Sequence, residues 1–76
     1  MKLWHLQRLP GFDADYDENQ ALVVRAIDAK SARKLAIDSA NNVNEVEVWA
    51  DSTKTACVEL LAEGEQGVIV RDFMAG

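Results

Sequence analysis

Alternating apolar and polar positions at the start of the chain predict two strands. In the segment KLWHLQRL (2–9), side chains fall into two sets, because successive side chains of a strand point to opposite faces. One set is Leu3, His5, Gln7 and Leu9, and the other, the better candidate for the core, is Trp4, Leu6 and Arg8. The segment ALVVRAI (21–27) is β-branched at its centre and predicts a second strand. Pro10 and Gly11 lie between the two and predict a turn.

A helical period replaces the alternation after residue 28. Asp28 has the side-chain chemistry of a helix N-cap, and the helix is expected to run from Ala29 to Ala40, with Asn41 and Asn42 as its stop. Its buried face would consist of Ala29, Ala32, Leu35, Ala36, Ser39 and Ala40, and its outward face of Lys30, Arg33, Lys34 and Asp38. A face composed mostly of alanine lets a helix lie close against a sheet.

Three further segments predict strands, namely EVEVWA (45–50), TACVELL (55–61) and GVIVRDF (67–73), with turns at DSTK and AEGEQG between them. The expected order is therefore β-β-α-β-β-β in a single domain, residues 1–76. Short connections favour antiparallel pairing. The fold class predicted is α+β, a two-layer sandwich with a mostly antiparallel sheet of about four to five strands and one helix packed on a face.

Composition and charge narrow the classes of function. Thirteen acidic and eight basic residues give a net charge of −5, which argues against general nucleic-acid binding, since that depends on neutralising phosphates. A chain of 76 residues has a thin core, so a homo-oligomer is expected. There is no apolar window of membrane-spanning length, no leader follows Met1, and Cys57 is the single cysteine. These features predict a cytoplasmic protein with no membrane partner, no disulfide and no zinc site.

The acidic segment GFDADYDENQ (11–20) raises the possibility of a calcium loop. Its three aspartates match positions 1, 3 and 5 of such a loop, but Glu18 replaces the glycine of position 6 and Val24 replaces the glutamate of position 12. We therefore predict a solvated loop and no metal. His5 has no nucleophile or acid at a recognisable spacing, and GEQG (64–67) lacks the length and lysine of a phosphate loop. No catalytic residue and no cofactor are predicted.

Five residues in predicted strands are candidates for ligand binding: Arg8, Arg25, Arg71, Trp4 and Trp49. Guanidinium groups suit phosphate or carboxylate, and indole rings stack on bases, so the set could line a pocket for a nucleotide-like anion. The alternative is that the tryptophans fill the core while each arginine pairs across the sheet with an acid. Those acids would be Glu45, Glu47, Glu59 or Asp72.

The segments KLWHLQR, YD, ALVVRAIDAKSARKLA, VWADSTKTACVEL and GVIVRDFMAG together resemble a family of short, mostly uncharacterised accessory proteins of bacteriophages and prophages. The resemblance covers nearly the whole chain. It implies a phage-encoded, non-enzymatic binding protein that counteracts host defence in the host cytosol. Such a protein would sequester a nucleotide-like small molecule or bind a host defence protein. The alternatives are a small enzyme acting on a nucleotide signal, with His5 and Asp72 or Glu59 as its acid–base pair, and a structural or assembly component of the phage.

Overall fold

A computed structural model describes residues 1–71, which form three strands and two helices. The elements are β1 (Lys2–Arg8), β2 (Ala21–Ala26), α1 (Ala29–Asp38), α2 (Val43–Ala50) and β3 (Thr55–Leu60). The strands form one antiparallel sheet in the order β2-β1-β3. The α+β class is confirmed, as are the first two strands, the first helix and the strand predicted at TACVELL. The number of strands and helices differs from the prediction.

The register of the sheet separates its side chains into two faces. Leu6 of β1 aligns with Leu22 of β2 and Cys57 of β3, and this face, here called the inner face, packs against the helices. The opposite face, here called the open face, is covered by no helix in the described structure. It carries Leu3, His5 and Gln7 from β1, Ala21, Val23 and Arg25 from β2, and Ala56, Val58 and Leu60 from β3.

The core lies between the inner face and α1. Its fully enclosed hydrophobic residues are Leu6, Ala26, Ala32, Ala36 and Trp49. Ala32 and Ala36 are four residues apart on α1, so they present one small, flat stripe to the sheet. The N-cap predicted for this helix is confirmed, because the Asp28 side chain accepts a hydrogen bond from the N–H of Ser31 at 2.8 Å. Leu35, predicted to be buried, is 44% exposed.

The segment EVEVWA is helical, and its prediction as a strand was wrong. Asn42 is the N-cap of α2, because its side chain accepts a hydrogen bond from the N–H of Glu45 at 2.8 Å. The residue predicted to follow the end of α1 therefore also begins a second helix. In a helix, Glu45 and Trp49 lie on the same face one turn apart, and both are completely buried. This pairing stabilises the helix over the strand that the alternating valines indicate.

The segment GVIVRDF was predicted as the last strand. Residues 67–71 lie outside the sheet with every side chain exposed, so that part of the prediction was wrong, and Asp72 and Phe73 lie outside the described residues. Residues 61–66, which lead to this segment, are also exposed. Within residues 1–71, no helix is long and apolar enough to cross a membrane.

Candidate binding surfaces

Arg8 is buried on the inner face, where its guanidinium group forms hydrogen bonds within the protein. It is 5% exposed, and each of its three guanidinium nitrogens donates a hydrogen bond to the loop at residues 9–20. The acceptors are Asn19 O at 2.8 Å, Phe12 O at 3.1 Å and Glu18 Oε1 at 3.0 Å. Arg8 therefore anchors the acidic loop. With 5% of its surface exposed, it presents little of its guanidinium group to an external anion.

The acidic loop folds around Glu18. Besides pairing with Arg8, Glu18 accepts a hydrogen bond from the N–H of Asp15 at 3.1 Å. Asp13, Asp15 and Asp17 are exposed, as expected for a solvated loop, and Asp17 adopts a positive φ of 63°. In the described part of the chain, no group of three or more potential ligands is arranged to hold a metal ion.

Glu45 is a buried carboxylate surrounded by donors. It accepts from the N–H of Asn19 at 3.1 Å, the N–H of Asn41 at 2.9 Å and the indole N–H of Trp49 at 3.0 Å. Burial raises its pKa, but these hydrogen bonds outweigh burial and hold the pKa of Glu45 below its usual value. The Arg8 guanidinium lies 5.5 Å from the centroid of the Trp49 ring. Arg8 and Trp49 thus meet in the interior of the protein.

Arg33 was predicted to point into solvent, and that was wrong. Its guanidinium donates to Trp49 O at 2.9 Å, to Thr55 Oγ1 at 2.8 Å and to Thr55 O at 3.0 Å, joining α1, α2 and β3. Thr55 is itself buried. Cys57 follows it on the inner face, where burial raises the pKa of the thiol and Arg33 opposes that rise. The sequence carries no signal that separates Arg33 from its solvent-facing neighbour Lys34.

The five residues predicted to bind a ligand do not share one pocket. Arg8 and Trp49 are interior, and Trp4 is half-buried on the inner face with its indole N–H donating to Ala26 O at 3.0 Å. Arg25 is exposed on the opposite face, and Arg71 is exposed beyond β3. The alternative prediction, that each arginine pairs across the sheet with Glu45, Glu47, Glu59 or Asp72, is wrong for Arg8, which pairs with Glu18 of the loop. Anion binding by these residues stays a prediction. Of the two arginines in the described strands, Arg25 is the one that is exposed to solvent.

The open face is an apolar surface on an otherwise acidic protein. Six of its nine positions are Leu, Val or Ala, and Arg25 is its single charged residue. Leu3, Val23 and Val58 are 40%, 52% and 57% exposed. Among residues 1–71, no acidic residue occupies any of these nine positions. Depletion of charge at the centre of a surface is typical of protein interfaces.

His5 lies at the centre of the open face, between Val23 and Val58 on the neighbouring strands. Its Nε2 atom is enclosed and has no hydrogen-bond partner in the described structure. Glu59, the acid considered as its catalytic partner, is on the inner face and forms a salt bridge with Lys2 at 3.6 Å. An enclosed polar atom without a partner costs free energy, so His5 is a locally unfavourable feature of the open face.

A cleft of about 440 Å³ lies at the free edge of β2, between that strand and α1. Its walls are largely apolar, with Met1, Ile27 and Leu35 among the lining residues. Arg25 and Lys34 add two cations. Lys34 also forms an exposed salt bridge with Asp38 at 3.7 Å, and bridges of this kind contribute little to stability. The cleft can therefore accept an apolar group that carries negative charge nearby.

Comparison of the chain with protein-family models, with curated protein sequences and with solved structures found no match. The geometry of the open face and of the cleft is therefore the basis for assigning a function.

Proposed function

We propose that this chain is a non-enzymatic binding protein that recognises another protein through the open face of its sheet. One observation carries the proposal: a two-layer fold has left one whole sheet face without a covering layer, and that face is apolar and nearly free of charge. A sheet stably buries its apolar face against another layer. The described chain supplies such a layer on the inner face alone.

The chemistry of the open face defines the partner. Its aliphatic side chains favour an apolar surface, and Arg25 at the end of β2 favours a carboxylate at the rim of that surface. His5 lies at the centre of this surface, between Val23 and Val58. In keeping with the resemblance to phage accessory proteins, the partner we propose is a host defence protein in the host cytosol. Its inhibition would follow from occupation of its own binding surface.

A second candidate is the sequestering of a small anionic, nucleotide-like molecule. Arg25 and Lys34 at the cleft favour it, because both cations are exposed and the cleft walls are apolar. Native mass spectrometry of protein purified gently from a bacterial host tests it. An adduct of a few hundred daltons that disappears in Arg25→Ala supports this candidate. The unmodified mass in both proteins removes it.

The enzymatic alternative depends on His5. Its cross-strand neighbours are valines, and neither offers a proton acceptor or a nucleophile. Any nucleotide-cleaving activity that the purified protein shows should be compared with that of His5→Ala. Turnover that is lost in His5→Ala while folding is retained would support an enzyme and contradict the proposed function.

The test of the leading proposal is capture of the partner from host lysate by immobilised protein, followed by identification of the captured protein. Val58→Glu places a charge at the exposed side of β3 on the open face, and Val46→Glu places the same charge on α2 in the other layer. We expect one host protein to be retained by the wild type and by Val46→Glu but lost with Val58→Glu. Equal retention by both variants would contradict the proposal.

A further inference from the structure

Residues 67–70, here called the tail, have the composition of a strand but pair with no strand in the described structure. Val68, Ile69 and Val70 are consecutive aliphatic residues with high β-propensity, and they are 81%, 67% and 38% exposed. An exposed segment of this kind is a hazard for a solvated protein unless a partner covers it. The tail therefore requires a surface that the described chain does not provide to it.

The free edge of β2 is such a surface. The N–H of Arg8 donates to Gln20 O, so Arg8 and Gln20 form a hydrogen-bonded pair. In an antiparallel ladder such pairs occur at every second residue. The backbone N–H and C=O of Val23 and Arg25 therefore point away from β1. No described strand pairs with this edge. The cleft adjoins it on the side of α1, so an added strand would find backbone partners and an apolar wall together. Extended segments bind other proteins in this way by joining a sheet edge.

The residues just before the tail are opposite in charge to the cations at the cleft. Glu63 and Glu65 precede the aliphatic run, and Arg25 and Lys34 stand at the cleft. Complementary charges of this kind fix the register of an added strand more than they add affinity. These are the same cations that favour a small anion. The aliphatic side chains of the tail suit the apolar walls of the cleft, and the acids precede the tail in the chain.

We propose that residues 67–70 of one copy add as a fourth strand to the free edge of β2 in a second copy, and that two chains exchange these tails reciprocally. The chain's own tail leaves the sheet from β3, on the far side of β1 from this edge. To reach its own cleft it would have to fold across the end of β1, and residues 61–67 are instead exposed. Reciprocal exchange makes a closed dimer in which both tails are covered.

Sedimentation velocity of the full chain tests the exchange. We expect a species of twice the 8.4 kDa chain mass, with a dissociation constant raised at least tenfold by Ile69→Pro, because proline removes a backbone donor and fixes φ near −65°. Gln66→Pro, next to the segment but outside it, is the matched control and should leave the dimer intact. Circular dichroism confirms that each variant is folded. A monomeric wild type at about 100 µM, a concentration in the range where weak dimers assemble, would overturn the proposal.

A mixing experiment identifies the occupant of the cleft. Leu35→Asp damages the receiving cleft at a residue that is 44% exposed, and Ile69→Pro damages the donated tail. We expect each variant alone to be monomeric and an equimolar mixture to form a dimer that is weaker than the wild-type dimer, since one of the two tail–cleft contacts is then intact. Dimer in either variant alone, or monomer in the mixture, would overturn exchange between copies. Val58→Glu should leave this dimer unchanged, so failure of the open-face proposal and failure of tail exchange are distinguishable.

Discussion

The two faces of the sheet differ in how far their polar groups are satisfied. On the inner face, Arg8 donates from all three of its guanidinium nitrogens to loop groups, and the Glu45 carboxylate nearby accepts from three different residues. On the open face, the enclosed Nε2 of His5 has no partner and the valines beside it are exposed. The buried polar groups of Arg8 and Glu45 thus find their hydrogen-bond partners within one chain. On the open face, the exposed aliphatic side chains are buried only if another surface packs on them.

This difference assigns different roles to residues of the same chemical type. Arg8 and Arg25 lie on neighbouring strands, yet Arg8 is buried in a structural network and Arg25 is exposed on the open face. Substitutions on the inner side should therefore reduce stability. Substitutions on the open face should change binding and leave stability nearly unaltered.

The largest effect is expected from Trp49→Ala, which removes the largest fully buried side chain. We expect a loss of about 3–5 kcal/mol in the free energy of unfolding, enough to unfold much of a small domain. Val58→Ala on the open face should cost far less, because that side chain is 57% exposed. Urea denaturation followed by circular dichroism measures both. Equal losses in the two variants would mean that the open face is packed within the monomer.

Arg33 and Lys34 offer a comparison of adjacent cations on α1. Arg33→Met removes the donors to Thr55 and Trp49 O and should cost about 1–3 kcal/mol, because these buried acceptors lose their partners. Lys34→Met removes an exposed pair with Asp38 and should change stability by less than about 0.5 kcal/mol. Thermal unfolding of both variants checks the difference. Similar melting temperatures would contradict the assigned role of Arg33.

Glu45 makes the stability of the inner side dependent on pH. Because its pKa is lowered in the folded state, its contribution is fully present above the unfolded-state glutamate pKa of about 4.3 and is lost as pH falls through the lower, folded value. Glu45→Gln should cost about 1–3 kcal/mol at neutral pH. It should also weaken the fall in stability with acid. Parallel curves of unfolding free energy against pH for the variant and the wild type would show that Glu45 is not responsible.

How much the sequence predicts depends on whether local or long-range contacts decide the structure. Alternation in β1 correctly places Leu6 and Arg8 on the covered face, and Asp28 correctly marks the start of α1. The helix α2 was missed because its alternating valines imitate a strand. The decisive contact, between Glu45 and Trp49, is visible in the sequence only as an acid and an indole four residues apart.

The candidate site was less predictable than the fold. Arg8 and Trp49 were selected as ligand-binding residues by their chemical type, but their environment is set by Asn19, Glu18 and Glu45, which are distant from them or unremarkable in sequence. The open face was not predicted as a binding surface, because the sequence alone indicates more strands and does not show which face a helix covers. Strand order and register supply that information.

The open face as a binding surface is the central claim, and site-specific photo-crosslinking in a bacterial host tests it most directly. A benzophenone side chain placed at Val58 reports on the open face, and one placed at Val46 on α2 is the matched control. We predict that irradiation yields one discrete crosslinked protein from Val58 and none from Val46. No product from Val58, or the same product from both positions, would contradict the claim.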